Sequence, residues 1–174
     1  RSRGHPAARS IMSDALSMPV EEHVPAHLML MRLFAASPNE AAARAALNRA
    51  LSSADPDLVG RLQAAQMLWE RVPNAYSAVS TIHRLGCREI EGSTETRIRQ
   101  LTTLFDQATK ISPQASVALY SLGDEALLDA ITREISHRIF EWDLAHPQSR
   151  ILDIGCGCGR FLAGLAPYVK AIIG

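Results

Sequence analysis

Close to the C-terminal end of the chain runs Ile151-Leu152-Asp153-Ile154-Gly155-Cys156-Gly157-Cys158-Gly159-Arg160-Phe161. An apolar, largely β-branched run carrying one aspartate reads as a short buried strand over residues 151–154. Three alternate glycines then require a backbone that bends sharply and approaches something a Cβ would block. Residues 160–166 return to helical composition, and residues 168–173 (Tyr-Val-Lys-Ala-Ile-Ile) read as a second apolar strand. Strand, glycine turn, helix and strand form the βαβ unit that opens a doubly wound α/β sheet, where ligands lie beyond the carboxyl ends of the strands.

Spacing narrows the ligand. A dinucleotide fingerprint needs Gly-x-Gly-x-x-Gly, but counting from Gly155 puts Arg160 in the third glycine position, and counting from Gly157 puts Leu162 there. A phosphate-cradling P-loop needs a lysine after its glycines, and none follows. What remains is an aspartate at the strand end leading into Gly-x-Gly-x-Gly.

On these residues the chain resembles the class I S-adenosylmethionine-dependent methyltransferases, whose first motif has an apolar run, an acidic residue and this glycine triplet. The resemblance spans roughly residues 112–174 and is concentrated in about ten positions. It implies an α/β Rossmann-like domain that binds S-adenosylmethionine and transfers its methyl group to an acceptor. Asp153, Gly155, Gly157 and Gly159 carry over as cofactor-contacting positions, with Cys156 and Cys158 lining the loop mainly through their backbone. A strand-end carboxylate suits the ammonium of the cofactor's amino-acid head, whereas beside a pyrophosphate it would be repulsive. The acidic residue that in this family holds the ribose would fall just past Gly174, so the chain reads as cut within its second strand, and no catalytic base is named. Such a piece is expected to lack methyl-transfer activity alone, because two strands do not complete a pocket.

Upstream, residues 20–111 read as helix packed on helix. Ser37-Pro38-Asn39-Glu40 has the form of a capping box with Ser37 as N-cap, and Asp55-Pro56-Asp57 repeats the device with aspartate. Leu58, Leu62, Ala65, Trp69 and Val72 make an apolar stripe at helical spacing that Pro73-Asn74 ends. Gly86 reads as a helix stop, and Glu91-Gly92-Ser93 as a loop and cap. Ile98, Leu101, Phe105 and Ala108 form the next stripe, with Arg97, Gln100, Thr103, Asp106 and Lys110 left for water. After the Ser112-Pro113 start, Asp124 opens a helix whose Leu128, Ile131, Ile135, Ile139 and Trp142 share a face, closed by His146-Pro147. No landmark recurs at a fixed interval, which argues against a solenoid. The domain reading is therefore a tail over residues 1–19, a helical accessory region over 20–111, and the start of a methyltransferase domain over 112–174.

The 174 residues carry 18 basic and 18 acidic side chains, a balance without the basic excess that nucleic-acid and anionic-membrane binders use. At 47% hydrophobic and 5% aromatic, with abundant alanine, the composition is globular and leans helical. No apolar run nears the roughly 18 residues of a membrane span; the stretch 28–34 is already broken by Arg32. Three cysteines, two of them in Cys156-Gly157-Cys158, fit no ordinary disulfide framework and point to a reducing cytoplasm. Residues 1–13 hold Arg1, Arg3 and Arg9 and no acid before Ser13, and read as a flexible tail or as sequence upstream of a start at Met12.

The other chemistry-bearing residues have plainer readings. Cys87, Cys156 and Cys158 lack the paired spacing of structural zinc, so no metal is assigned. His23 and His27 are four apart, but Pro25 lies between them without a His-Glu-x-x-His order, which leaves exposed histidines. Arg97 and Arg99 read as solvated charges, and His137 and Arg138 as surface residues. Trp69 and Trp142 read as core anchors. Tyr120 stays open between a structural position and, by the resemblance, the lining of the cofactor pocket. Two rival functions remain beside the methyltransferase: a nucleotide-dependent oxidoreductase with an atypical glycine loop, and a helical interaction module, able to form a homo-oligomer, with an inert α/β piece. The methyl acceptor is not legible.

Overall fold

The computed structural model describes residues 25–54, 56–87 and 89–174, with Asp57 described by its backbone alone. The expectations for residues 1–19, Met12, His23 and the Asp55 cap lie outside these residues. Among them the chain is mainly helical with one small two-stranded parallel sheet. It divides into two compact units, one running through Gly123 and the other from Asp124 to Gly174.

The helical unit contains α1 (Ala26–Ala36), α2 (Glu40–Ser53), α3 (Pro56–Arg71), α4 (Ala75–Gly86), α5 (Thr94–Ile111), α6 (Pro113–Val117) and a 3-10 turn, Leu119–Ser121. Local chemistry accounts for most of the boundaries. The backbone of Ser37 is extended, as a residue before proline must be, so α1 stops there. The cap of α2 is then Asn39, whose side chain accepts from the Ala42 N–H at 2.9 Å. This corrects the expected Ser37 cap: Ser37 instead lies buried, and its carbonyl accepts a 3.0 Å hydrogen bond from the Tyr76 hydroxyl. Ser93 caps α5 through Thr96 N–H at 3.3 Å, and Ser112 with Pro113 opens α6 through Ala115 N–H at 3.1 Å. Both follow the sequence reading.

The core of this unit forms where α1, α3 and α4 meet. Phe34 stands edge-on to Trp69, with ring centroids 4.7 Å apart, and edge-on to Tyr76 at 5.6 Å. Leu30, Leu62 and Val79 are equally inaccessible around them. The α3 stripe behaves as read, with Leu62, Ala65, Trp69 and Val72 buried and Leu58 half-buried. Alanines at Ala43 and Ala46 are buried on α2, where small side chains permit close helix packing. Replacing Tyr76 by phenylalanine should cost about 1 kcal/mol, since a buried carbonyl then loses its donor. A urea midpoint lowered by that amount, at unchanged slope, is the expected record of it.

Two helical expectations fail for tertiary reasons. The α5 stripe is not core: Ile98 is 58%, Leu101 40% and Phe105 55% exposed, and only Ala108 is buried, in a cluster with Ala78, Ile82 and Ala115. The helix touches its neighbours along a different line of its surface, through Ala108 and half-buried Leu104. Because Ala115 and Leu119 pack into that cluster, residues 112–123 belong with the helical unit, and the division falls after Gly123 rather than after Ile111.

The second unit comprises α7 (Glu125–Glu141), β1 (Arg150–Leu152), α8 (Arg160–Leu165), a 3-10 turn (Ala166–Tyr168) and β2 (Ala171–Ile173). Asp124 caps α7 by accepting from Leu127 N–H at 2.7 Å. The helix stops at Glu141, before His146-Pro147, because Trp142 and Asp143 turn out of it, Asp143 with φ of 54°. Trp142 is consequently 68% exposed and is no core anchor. The strands run parallel, pairing Arg150 with Ala171, Ile151 with Ile172 and Leu152 with Ile173. Both are shorter than read: residue 154 lies past the strand, and residues 166–168 form the 3-10 turn. Nor are they buried, since Leu152 and Ile173 are more than three-fifths exposed; a two-stranded sheet supplies no layer to cover both faces. Phe140 and Tyr168 meet edge-on at 5.4 Å within this unit.

Candidate functional site

The loop joining β1 to α8 brings the sequence-predicted site residues together. Asp153 follows β1 directly, and its N–H donates to the Ile173 carbonyl at 2.8 Å, extending the ladder by one rung. The chain then turns through Gly155, Gly157 and Gly159 with φ of 80°, 57° and 75°. All three occupy the left-handed region, where a Cβ would crowd the following carbonyl; alternate glycines satisfy this without strain. The Gly159 N–H closes the turn on the Cys156 carbonyl at 2.9 Å, and the Gly159 carbonyl accepts from Ala163 N–H at 3.0 Å.

The outside of this turn is open. Among the described residues, a Cβ added at Gly155 would meet no atom within 4 Å, and one at Gly159 would only reach Leu162 at 4.0 Å. The glycines are therefore demanded by backbone conformation, while the space at Gly155 is free for a group from outside the chain. Asp153 stands at the base of the loop. Its Oδ2 is shielded from solvent and has no hydrogen-bond partner among the described residues. A buried carboxylate oxygen without a donor costs about 1–3 kcal/mol, more if charged, so an arrangement that keeps one is suited to a donor that arrives with a ligand.

The two cysteines differ. Cys158 is exposed, whereas Cys156 is half-buried and packs toward the end of β2. Only a glycine fits there, because a Cβ at Gly174 would stand 2.6 Å from the Cys156 Cβ and 2.9 Å from Leu162. The Cys156 side chain thus lies against Gly174, just past β2. Gly174 and Arg160 support the loop through contacts that no local sequence pattern marks. Arg160 Nη1 donates to Thr132 Oγ1 on α7 at 2.9 Å, and its guanidinium lies 4.2 Å from the Phe161 ring centre. That bond spans 28 positions, and no local pattern announces it. It fastens the start of α8 to α7 and holds the arginine on that helix.

The remaining candidates stand on other elements of the chain. Tyr120 is half-buried in the helical unit, with its ring 6.4 Å from that of His27. His137 and Arg138 are exposed on α7 and both reach Glu141, at 3.1 and 2.7 Å. The hydrogen bond from Arg138 is the main cause holding the Glu141 carboxyl below its ordinary range. Cys87 is exposed, 3.9 Å from the His83 ring nitrogens. Among the described residues no group of three histidine, cysteine, aspartate or glutamate side chains could hold a metal ion. None of the described helices is long and apolar enough to cross a membrane. Comparison of the chain with protein-family models, with curated proteins and with solved structures finds no match to any of them.

Proposed function

We propose that this chain carries the cofactor-binding start of an S-adenosylmethionine-dependent methyltransferase, a Rossmann-like βαβ unit preceded by a helical accessory region. The observation that supports the reading best is the shielded Oδ2 of Asp153, without a hydrogen-bond partner among the described residues, at the foot of a loop turned by three left-handed glycines. Asp153 would receive the ammonium of the cofactor's amino-acid head, and Gly155, Gly157 and Gly159 would let the backbone come close to it, with Cys156 and Cys158 completing the turn. The bound cofactor would supply an electrophilic methyl on a sulfonium. The chain's residues then have positioning and water exclusion to provide, with no phosphate to neutralise. A carboxylate at this place argues against the rival pyrophosphate reading, because two anions would be held in contact.

The test is a titration of isotope-labelled protein with S-adenosylhomocysteine and S-adenosylmethionine, followed by amide NMR. Shifts confined to residues 153–159 and their neighbours are expected, saturating with either compound and absent with NAD. Unmoved loop amides at millimolar ligand, or shifts with NAD alone, would sink the proposal.

A further inference from the structure

The exposed stripe of α5 has the composition of a helix-pairing face. At about 100° per residue, Ile98, Leu101 and Phe105 fall within roughly 60° of one another, and all three are at least 40% exposed. Thr102 and Thr109 lie beside them on the side away from Ala108. Their hydroxyls donate back to the Ile98 and Phe105 carbonyls at 3.0 and 2.9 Å. With the hydroxyls so engaged, the threonines can present their methyl groups, and the stripe is apolar beyond its three large residues.

Along the outer flank of this stripe runs a row of charges, Glu95, Arg99, Asp106 and Lys110. Glu95 and Arg99 pair with one another at 3.1 Å while both remain about four-fifths exposed. Asp106 and Lys110 make no ion pair among the described residues. The order acid, base, acid, base is complementary to itself only when read backwards. If a second copy of α5 lies antiparallel with the two-fold axis near Thr102, Arg99 of each copy comes level with Asp106 of the other to within about one residue's rise, and Glu95 with Lys110. The same axis sets Ile98 of one copy against Phe105 of the other. In a parallel pair the like members of the row stand level instead, and the charges give no such match.

We infer that α5 is a self-association surface, through which two copies of this chain pair antiparallel across Ile98, Leu101, Thr102 and Phe105, with the Arg99–Asp106 and Glu95–Lys110 contacts setting the direction. A single helix face is smaller than a standard interface, which implies a weak dimer with Kd on the order of 10–100 μM. The inference rests on the helical unit alone and stands whether or not the glycine loop binds a cofactor.

Sedimentation equilibrium of the 174-residue chain over concentrations bracketing that range tests it. The expected result is a monomer–dimer equilibrium. Phe105→Asp should raise Kd on the order of 30-fold or more with an unchanged circular dichroism spectrum, because the side chain is exposed in the single copy. Arg99→Glu alone and Asp106→Arg alone should each raise Kd by about 10-fold, and the two together should return it to within about twofold of the original. A chain that stays monomeric throughout overturns the inference. So does a dimer that survives Phe105→Asp, which would place the contact elsewhere, or a double reversal that fails to rescue, which would exclude the antiparallel pairing.

Discussion

Replacing Trp69 with alanine is expected to lower the stability of the helical unit by about 3–5 kcal/mol, a large share of what a domain of this size has in total. Trp69 is 1% exposed and is a centre of the unit's packing. Its ring meets the edge of Phe34 at 4.7 Å, and the Arg44 guanidinium covers it at 4.2 Å from the ring centre. Removing it opens a cavity between α1 and α3 that rigid helices do not refill, and it exposes the place where Arg44, itself tied to Glu40 at 2.7 Å, had lain. Trp69→Phe should be much milder than its lost volume implies. The indole Nε1 is buried with no hydrogen-bond partner among the described residues, so the substitution also removes an unsatisfied donor, offsetting about 1–3 kcal/mol. Urea unfolding followed by far-ultraviolet circular dichroism measures both. Equal losses for the alanine and phenylalanine variants would refute this account of the indole nitrogen.

The second large effect is a divergence between binding and stability at Asp153. If the carboxylate receives a ligand ammonium, Asp153→Ala should weaken S-adenosylhomocysteine binding about 100-fold or more, the cost of leaving a buried charge unpaired. The same substitution should leave the unliganded fold as stable or make it more stable by about 1 kcal/mol, because it deletes a shielded acceptor that has no donor among the described residues. Gly155→Ala provides the matching control on shape. Its Cβ would meet nothing within 4 Å among the described residues, so the folding cost is only that of the φ of 80°, about 1–2 kcal/mol, while a ligand approaching as proposed would be blocked. Calorimetric titration beside thermal unfolding of each variant reads the two quantities separately. A destabilised Asp153→Ala protein with unaltered binding would assign Asp153 a purely structural place.

Much of the architecture was legible from local chemistry. The caps at Ser93, Ser112 and Asp124, the stripe on α3 and the strand–loop–helix–strand order each depend on residues within a few positions of one another. Ser37 shows where such reasoning slips. It has the right neighbours for a cap, but the helix begins two residues further on, at Glu40, where Asn39 caps it, leaving the Ser37 carbonyl for Tyr76, 39 positions away. Strand length differs as well: residues 151–154 have the composition of a strand, but the paired residues are Arg150–Leu152, with Asp153 adding one rung to Ile173.

By itself the sequence determined the turn at Gly155, Gly157 and Gly159 and the helical character of what precedes it, because backbone conformation and capping are set by the residue and its immediate neighbours. Which apolar residues become core was decided only in three dimensions. Phe105 and Trp69 look alike as members of helical stripes, and one is 55% exposed while the other is 1% exposed. Periodicity says that a face exists and nothing about whether another helix reaches it. The same holds at the candidate site: Asp153 could be read as an acid beside glycines, but only the folded arrangement shields its Oδ2 and leaves it without a donor among the described residues, since burial and hydrogen-bond satisfaction depend on every residue that comes near.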